Sequence, residues 1–274
     1  MSYPFEEGGN WFDRYIEDDV PFDVVLDTET TGLSHDAQIV SVGWAFSVKK
    51  DFAHLKGGKV HVYSGSFTIK PDMERIANQD QNELHEALGI NGLKFEDLEN
   101  HQIPYHKASR TLMNRIQMQM RKAGLFPSKM NVRYLAYNWG FDSVRIAMLP
   151  GSTDIINRMP RMIYETGICE NYRNHSMKNN HCLCELRPGC IMLNHSEWKD
   201  GQGWGSRWSK LVDAFNSHFG NLPELDFYWV RENDDETKLD RITSVELQVN
   251  AHDAEFDCLM GEIVNYHLKV WRGF

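Results

Sequence analysis

Apolar and polar positions change their period several times along this chain, and each change marks an element. Val24-Val25-Leu26 is a short apolar run that reads as a buried strand. Residues 38–46 form a second strand-like run, placed to return beside the first as a hairpin, and residues 60–69 alternate as a third strand after a Lys- and Gly-rich turn at 56–59. Another apolar run over 132–137 leads into 143–149, which reads as a helix. Helical spacing is clearest over 105–124, where Leu112, Met113, Ile116, Met120 and Ala123 share one face and Lys107, Arg110, Arg115, Arg121 and Lys122 the other, with no acid among them. Late in the chain the spacing predicts a helix over 211–220, with Gly220 as its C-terminal cap, and another starting near Asp257 with Leu259, Ile263, Tyr266 and Val270 as its apolar stripe.

Acidic residues sit where three of these elements begin or end. Asp27 and Glu29 continue the first strand, and strand alternation points both to one face while Thr28 points to the other. In a chain with 39 Asp and Glu such a pair alone means little, but here it follows a strand and precedes Thr30-Thr31-Gly32-Leu33. Asp142 stands at a strand-to-helix junction, where the helix N-terminal dipole favours a carboxylate on a rigid element. Asp257 lies near the start of the last helix, and His252 precedes it by five positions. Four carboxylates are a suitable cage for a pair of hard divalent cations roughly 3.5–4 Å apart, which can activate water and stabilise both oxygens of a phosphoryl displacement. A histidine near neutral pKa can take the proton from that water.

In that order, Asp27-Thr28-Glu29, Asn138-Trp139-Gly140-Phe141-Asp142 and His252-Asp253-Ala254-Glu255-Phe256-Asp257 resemble the DnaQ-like (DEDD) 3′–5′ exonucleases, in the branch with a histidine base. In the tyrosine branch the aromatic stands four positions before the acid, and here that position is Asp253. The resemblance covers about 23–149 and 207–270, including Gly89-Ile90-Asn91 with Phe95–Leu98 as the family's connecting segment. It implies an α/β, ribonuclease H-like domain over 21–274: a mixed five-stranded sheet flanked by helices, preceded by an irregular arm at 1–20. It also implies two Mg²⁺ or Mn²⁺ ions held by Asp27, Glu29, Asp142 and Asp257, with His252 as general base. Thr30, Thr31 and Leu33 would contact the 3′ end, Leu33 by wedging against its base, and Asn138 and Phe141 complete the second motif, with Phe141 chiefly packing. The substrate would be the 3′ end of single-stranded DNA or RNA, DNA being slightly preferred, and the products nucleoside 5′-monophosphates.

Composition narrows this picture. A net charge of −10 argues against a surface coated for non-specific duplex binding, though a local basic strip such as the 105–124 face could follow a strand. Neither a secretory leader nor a membrane span is evident, and five cysteines, an odd number, suit a reduced, cytoplasmic protein better than a disulfide framework. Gly57-Gly58-Lys59 lacks the spacing of a phosphate loop. Residues 151–206 depart from the family and read as an insert rich in Cys, His and Trp: Cys169, His175, His181, Cys182, Cys184, Cys190 and His195 offer zinc ligands without a paired Cys-x₂-Cys spacing. Buried thiols in a cytosolic insert are therefore favoured there over structural Zn²⁺. Trp198, Trp204 and Trp208 could stack bases or simply pack the insert onto the core. Two rivals stay open: an exoribonuclease trimming oligomers, and a non-catalytic binding module working through the insert. A polymerase or repair partner, if one acts with this chain, would be a separate protein.

Overall fold

The computed structural model describes residues 22–34, 36–49, 59–101, 103–153, 155, 191, 195, 210–219, 226–232 and 239–272. The arm at 1–20, Gly220, and the cysteines and tryptophans of the insert lie outside the described residues. Strands β1 (Phe22–Thr30), β2 (Ile39–Lys49) and β3 (Lys59–Lys70) form an antiparallel meander. Strand β5 (Val132–Ala136) adds parallel to β1, and β6 (Asp226–Arg231) adds parallel to β3 on the other side. Two-residue strands β4 (Ile103–Pro104) and β7 (Asp240–Arg241) pair with β3 and β6. The order is β5-β1-β2-β3-β6-β7, with β4 off this path.

The expected mixed sheet flanked by helices is present, but it has seven strands rather than five. Strand β6 accounts for the main difference. Its Phe227 and Trp229 are buried and its Tyr228 partly so, so an aromatic run next to the helix at 211–219 is recruited to the sheet rather than left as a connection. Within the charged stretch over 231–244, β7 and the start of a short helix are formed.

Helices flank both faces. In chain order they are α1 (Met73–Asn78), α2 (Gln81–Ile90), α3 (Phe95–Leu98), α4 (Ala108–Lys122), α5 (Trp139–Ala147), α6 (Leu211–Phe219), α7 (Ser244–Val249) and α8 (Ala254–Arg272). Helix α4 covers the face carrying Val24, Leu26, Trp44 and Phe46. It buries Leu112, Ile116 and Met120 there, and Gln119 accepts from the Trp44 indole N–H at 2.6 Å. Burying the Gln119 amide is tolerable because its N–H also donates to the Ser64 carbonyl. Helix α8 covers the other face. Gly261 of α8 rests over Val25, the Ser47 hydroxyl donates to Glu262, and the Ser64 hydroxyl donates to Glu255 at 2.7 Å.

Buried charges at the far end of α8 are paired, as a low-dielectric site requires. Asp23 is fully enclosed, takes a two-pronged bond from Arg133 (2.7 and 3.0 Å) and meets Lys269 at 2.8 Å. Burial pushes its carboxyl up, but these two cations outweigh that and leave it below its ordinary value. The imidazoles of His195, His218 and His267 form a chain that ties position 195 to α6 and α8, with His195 Nδ1 at 2.8 Å from His218 Nε2. No helix among the described residues is long and apolar enough to cross a membrane.

Candidate active site

The site gathers at the C-terminal half of β1, on the face covered by α8. Alternation is visible in the burial of β1: Leu26, Thr28 and Thr30 are enclosed, whereas Asp27 and Glu29 are partly open. Asp27 pairs in register with Gly43 and Glu29 with Ser41. A Cβ on Gly43 would collide with the backbone at Ala254, so this glycine lets the first turn of α8 lie directly on the sheet. Asp253 starts that helix by accepting from the Glu255 N–H at 2.9 Å and the Phe256 N–H at 3.4 Å. Asp257 then comes down beside β1. One carboxylate oxygen from each of Asp27, Glu29 and Asp257 lies within 4.8 Å of the others.

Asp142 arrives from the opposite side. Pairing between β1 and β5 ends at Leu26 and Ala136, after which the chain turns through Tyr137 and Asn138 into α5. The Thr28 N–H, beyond the end of β5, donates instead to Asp142 Oδ1 at 3.0 Å, and the Thr28 hydroxyl donates to the same oxygen at 2.8 Å. A buried backbone donor is thereby satisfied and a carboxylate, only 3% exposed, is locked in place.

Four acids this close cannot all carry charge without a counter-ion. Desolvation, followed by repulsion from Asp142, Asp257 and Glu29, pushes Asp27 well above its ordinary value. Burial, followed by repulsion from Asp257, Asp142 and Asp253, pushes Glu29 up to about 8. Burial raises Asp142 to about 7 against the lowering effect of the Thr28 bonds, and Asp257 to about 6. Oxygen donors alone, mutual repulsion and partial access suit a hard divalent cation. Asp27, Glu29 and Asp257 can hold one ion, and Asp142 is the remaining carboxylate beside them. Burial, then the nearby acids, push the Cys258 thiol far up, so it stays protonated and unreactive.

His252 is exposed on the turn before α8, and its backbone N–H donates to Asp257 Oδ1 at 3.2 Å. Its φ of 72° is left-handed, a conformation a non-glycine residue keeps only where its surroundings impose it.

The loop after β1 differs from expectation. The Thr31 hydroxyl donates to Gln79 Oε1 at 2.8 Å and accepts from the Gln38 N–H, and the Thr30 hydroxyl donates to the Gly32 carbonyl at 2.7 Å. Both threonines are buried, so their side chains build the loop instead of facing a ligand. Leu33 alone among the expected contacts of this loop stands out, 81% exposed. Glu83 accepts from the Leu33 and Ser34 N–H groups, Asn91 donates to the Thr30 carbonyl at 3.1 Å, and Arg145 donates to the Leu33 and Ser34 carbonyls at 2.8 and 2.6 Å. Phe141 is half-buried with the Arg145 guanidinium 5.0 Å from its ring centre. Asn138 is exposed at the head of α5 and makes no capping bond.

Sequence reasoning missed Thr28, Gly43, Gln79, Glu83, Asn91 and Arg145. Only Gly43 carried a local signal, a glycine inside an apolar strand. The basic face of α4 lies across the sheet from Asp27. One of its members, Arg115, is not a free surface charge: it pairs with Glu232 at 3.1 Å and sits 5.1 Å from the Phe67 ring centre.

No protein-family model and no curated protein matches the sequence. Solved structures similar to this chain include E. coli exonuclease I in complex with a dT13 oligonucleotide (TM-score 0.38, 14% identity, 91% of this chain and 41% of that one). Others are the zinc-bound form of an E. coli ExoI–ssDNA complex (0.39, 13%, 92% and 41%) and exonuclease I from Methylocaldum szegediense (0.38, 14%, 92% and 41%). The likeness is one of fold, and this chain spans 41% of the length of those structures.

Proposed function

We propose that this chain is a metal-dependent 3′–5′ exonuclease acting on single-stranded nucleic acid, DNA ahead of RNA, and releasing nucleoside 5′-monophosphates. The observation that carries the proposal is the convergence of Asp27, Glu29 and Asp257 within 4.8 Å, with Asp142 bonded to the intervening Thr28 and His252 on the adjoining turn. Asp27, Glu29 and Asp257 would hold one divalent ion, and Asp142 would help to hold a second. Such ions supply charge neutralisation to the phosphate oxygens and make water acidic enough to react. His252 accepts the proton of the attacking water. Leu33 contacts the terminal base, positioned by the bonds from Glu83 and Arg145 to its backbone. Thr28 keeps Asp142 in its working rotamer.

Digestion of matched 5′-labelled single-stranded DNA and RNA, with Mg²⁺ or Mn²⁺, tests the reading against the Asp27→Ala variant. A ladder shortening from the 3′ end, absent in the variant, is the expected result. The faster substrate assigns the sugar. Equal turnover by Asp27→Ala would remove the assignment, and cleavage of neither substrate would favour a binding role.

A further inference from the structure

The sequence from 101 to 141 contains seven of the chain's 29 Lys and Arg and none of its 39 Asp and Glu, in a protein of net charge −10. Helix α4 presents much of that excess as a single line. Lys107, Arg110, Asn114, Met118 and Arg121 follow one another at three- or four-residue steps, Lys122 adjoins the last of them, and all are exposed. At 1.5 Å per residue the line is about 22 Å long. Among the described residues Lys107, Arg110 and Arg121 enter no ion pair.

Helix stability accounts for Arg121 and Lys122, which suit the dipole in the last turn, but not for the cations at the other end. Cations at the N-terminal end oppose the helix dipole, where acids would gain about 0.3–1 kcal/mol each, yet α4 has Lys107 at its N-cap, Arg110 in its first turn and no acid there. Apolar surface accompanies the charge: Met118 is 60% exposed, and Phe126, just beyond the C-terminal end, is 55% exposed. Cations with exposed apolar and aromatic side chains close by in sequence suit phosphates and bases together, and suit an acidic peptide less well.

Helix α5 joins this line to the carboxylates. Asp142 in its first turn reaches the site, while beyond its last turn the Pro150 carbonyl accepts from Ser109, and the Met148 carbonyl accepts from Tyr105 at 3.5 Å, at the Lys107 end of α4. Between them, among its described side chains, α5 exposes Gly140, Val144 and Ala147, a surface without acids.

We infer that the Lys107–Arg110–Arg121 line with Phe126 is a docking track for the single-stranded nucleic acid upstream of the 3′-terminal nucleotides. This rests on the exonuclease reading for which end of the strand lies where. The track serves long substrates and leaves the reaction on very short ones untouched.

The test compares the wild-type protein with the Lys107→Glu/Arg110→Glu double variant, a milder Lys107→Gln/Arg110→Gln pair, and Phe126→Ala. Substrates are a trinucleotide and a strand of about 20 nucleotides, long enough to cover the line. Fluorescence anisotropy of the long strand is measured in parallel on an Asp27→Ala background. The expected result is a KM for the long strand raised about tenfold or more in the charge-reversed pair, with trinucleotide turnover unchanged. The slope of log affinity against log salt should fall by about 0.7 for each phosphate that is no longer neutralised. An unchanged KM and salt slope for the long strand would overturn the track. Binding of the long strand by wild type that the variants abolish, without cleavage by any form, would retain the track and remove the exonuclease reading. No binding by wild type would remove both. Displacement by polyglutamate together with indifference to Phe126→Ala would assign the line to an acidic protein instead.

Discussion

Gly43 of β2 and Ala254 of α8 are in contact through backbone alone: the carbonyl of Ala254 occupies the space a side chain at 43 would need. Gly43 is also the register partner of Asp27, so this close approach of helix to sheet coincides with the row of carboxylates. Gly43→Ala should therefore lift the first turn of α8, moving Asp257 and His252 away from Asp27. Overpacking of this kind costs about 1–3 kcal/mol. The expected outcome is a lower Tm with a fall in kcat/KM of at least about tenfold, the rate equivalent of 1.4 kcal/mol. Full activity in this variant would show that the site tolerates a displaced helix.

Thr28→Val should leave the backbone bond to Asp142 and delete the hydroxyl bond. A bond to a charged acceptor is worth about 1.5–3 kcal/mol, so kcat should drop roughly ten- to hundredfold with little change in KM. Thr28→Ser, which keeps the hydroxyl, should recover most of the rate. Failure of serine to do so would assign the valine effect to packing.

Charge crowding gives the metal-free protein a particular dependence on pH. In the unfolded chain these carboxyls ionise near their ordinary values, whereas in the fold Asp257 is raised to about 6, Asp142 to about 7 and Glu29 to about 8. The folded state thus holds protons that the unfolded state has already released. These groups contribute fully below about pH 4, and the contribution declines as pH rises through about 6 to 8. A divalent cation reverses the decline by stabilising the ionised cluster, so Mg²⁺ should raise Tm more at about pH 8 than at about pH 5.5. Scanning calorimetry with and without chelator measures this, and Asp27→Asn should abolish most of the difference. An equal shift at both pH values would place the ion elsewhere.

Glu83 lies 50 residues from Leu33 in sequence yet accepts both N–H groups at the loop tip. Glu83→Ala should free that tip and raise KM several-fold while changing kcat less. Glu83→Gln retains an acceptor oxygen and should behave nearly as wild type. Identical effects of the two substitutions would argue for the charge, which faces Arg145, rather than for the bonds.

His252, the base on the exonuclease reading, also carries backbone strain. Its left-handed φ costs a residue with a Cβ about 1 kcal/mol or more, which glycine avoids. His252→Gly should lose activity without losing Tm, whereas His252→Ala should lose activity and keep the strain. A pH–rate profile identical to wild type in either variant would dismiss His252 as the base.

Much of this arrangement was legible because its signals are local. The apolar run before Asp27, the strand-to-helix step before Asp142 and the stripe of α8 are matters of period and spacing, and their elements form close to the expected boundaries. What escaped depends on partners distant in sequence. Thr30 and Thr31 look like ligand contacts until Gln79 and Glu83 are brought alongside the loop, and nothing near Arg145 announces the three carbonyls it meets. Strand β6 was missed for a different reason. Its Phe227-Tyr228-Trp229-Val230 run is strand-like, but it becomes a strand only because β3 presents an edge for it to pair with.

Asp27, Asp142 and Asp257 are separated by 115 residues at each step, and no pair of them belongs to a single local unit. Any fragment or partly translated chain that is missing one of the three therefore lacks the cage. Groups this far apart in sequence come together late and at an entropic cost, so the cage appears only with the complete tertiary structure. On the exonuclease reading, the capacity to degrade nucleic acid is switched on by folding itself. A chain still being synthesised, or one damaged enough to unravel, is harmless to the polymers around it.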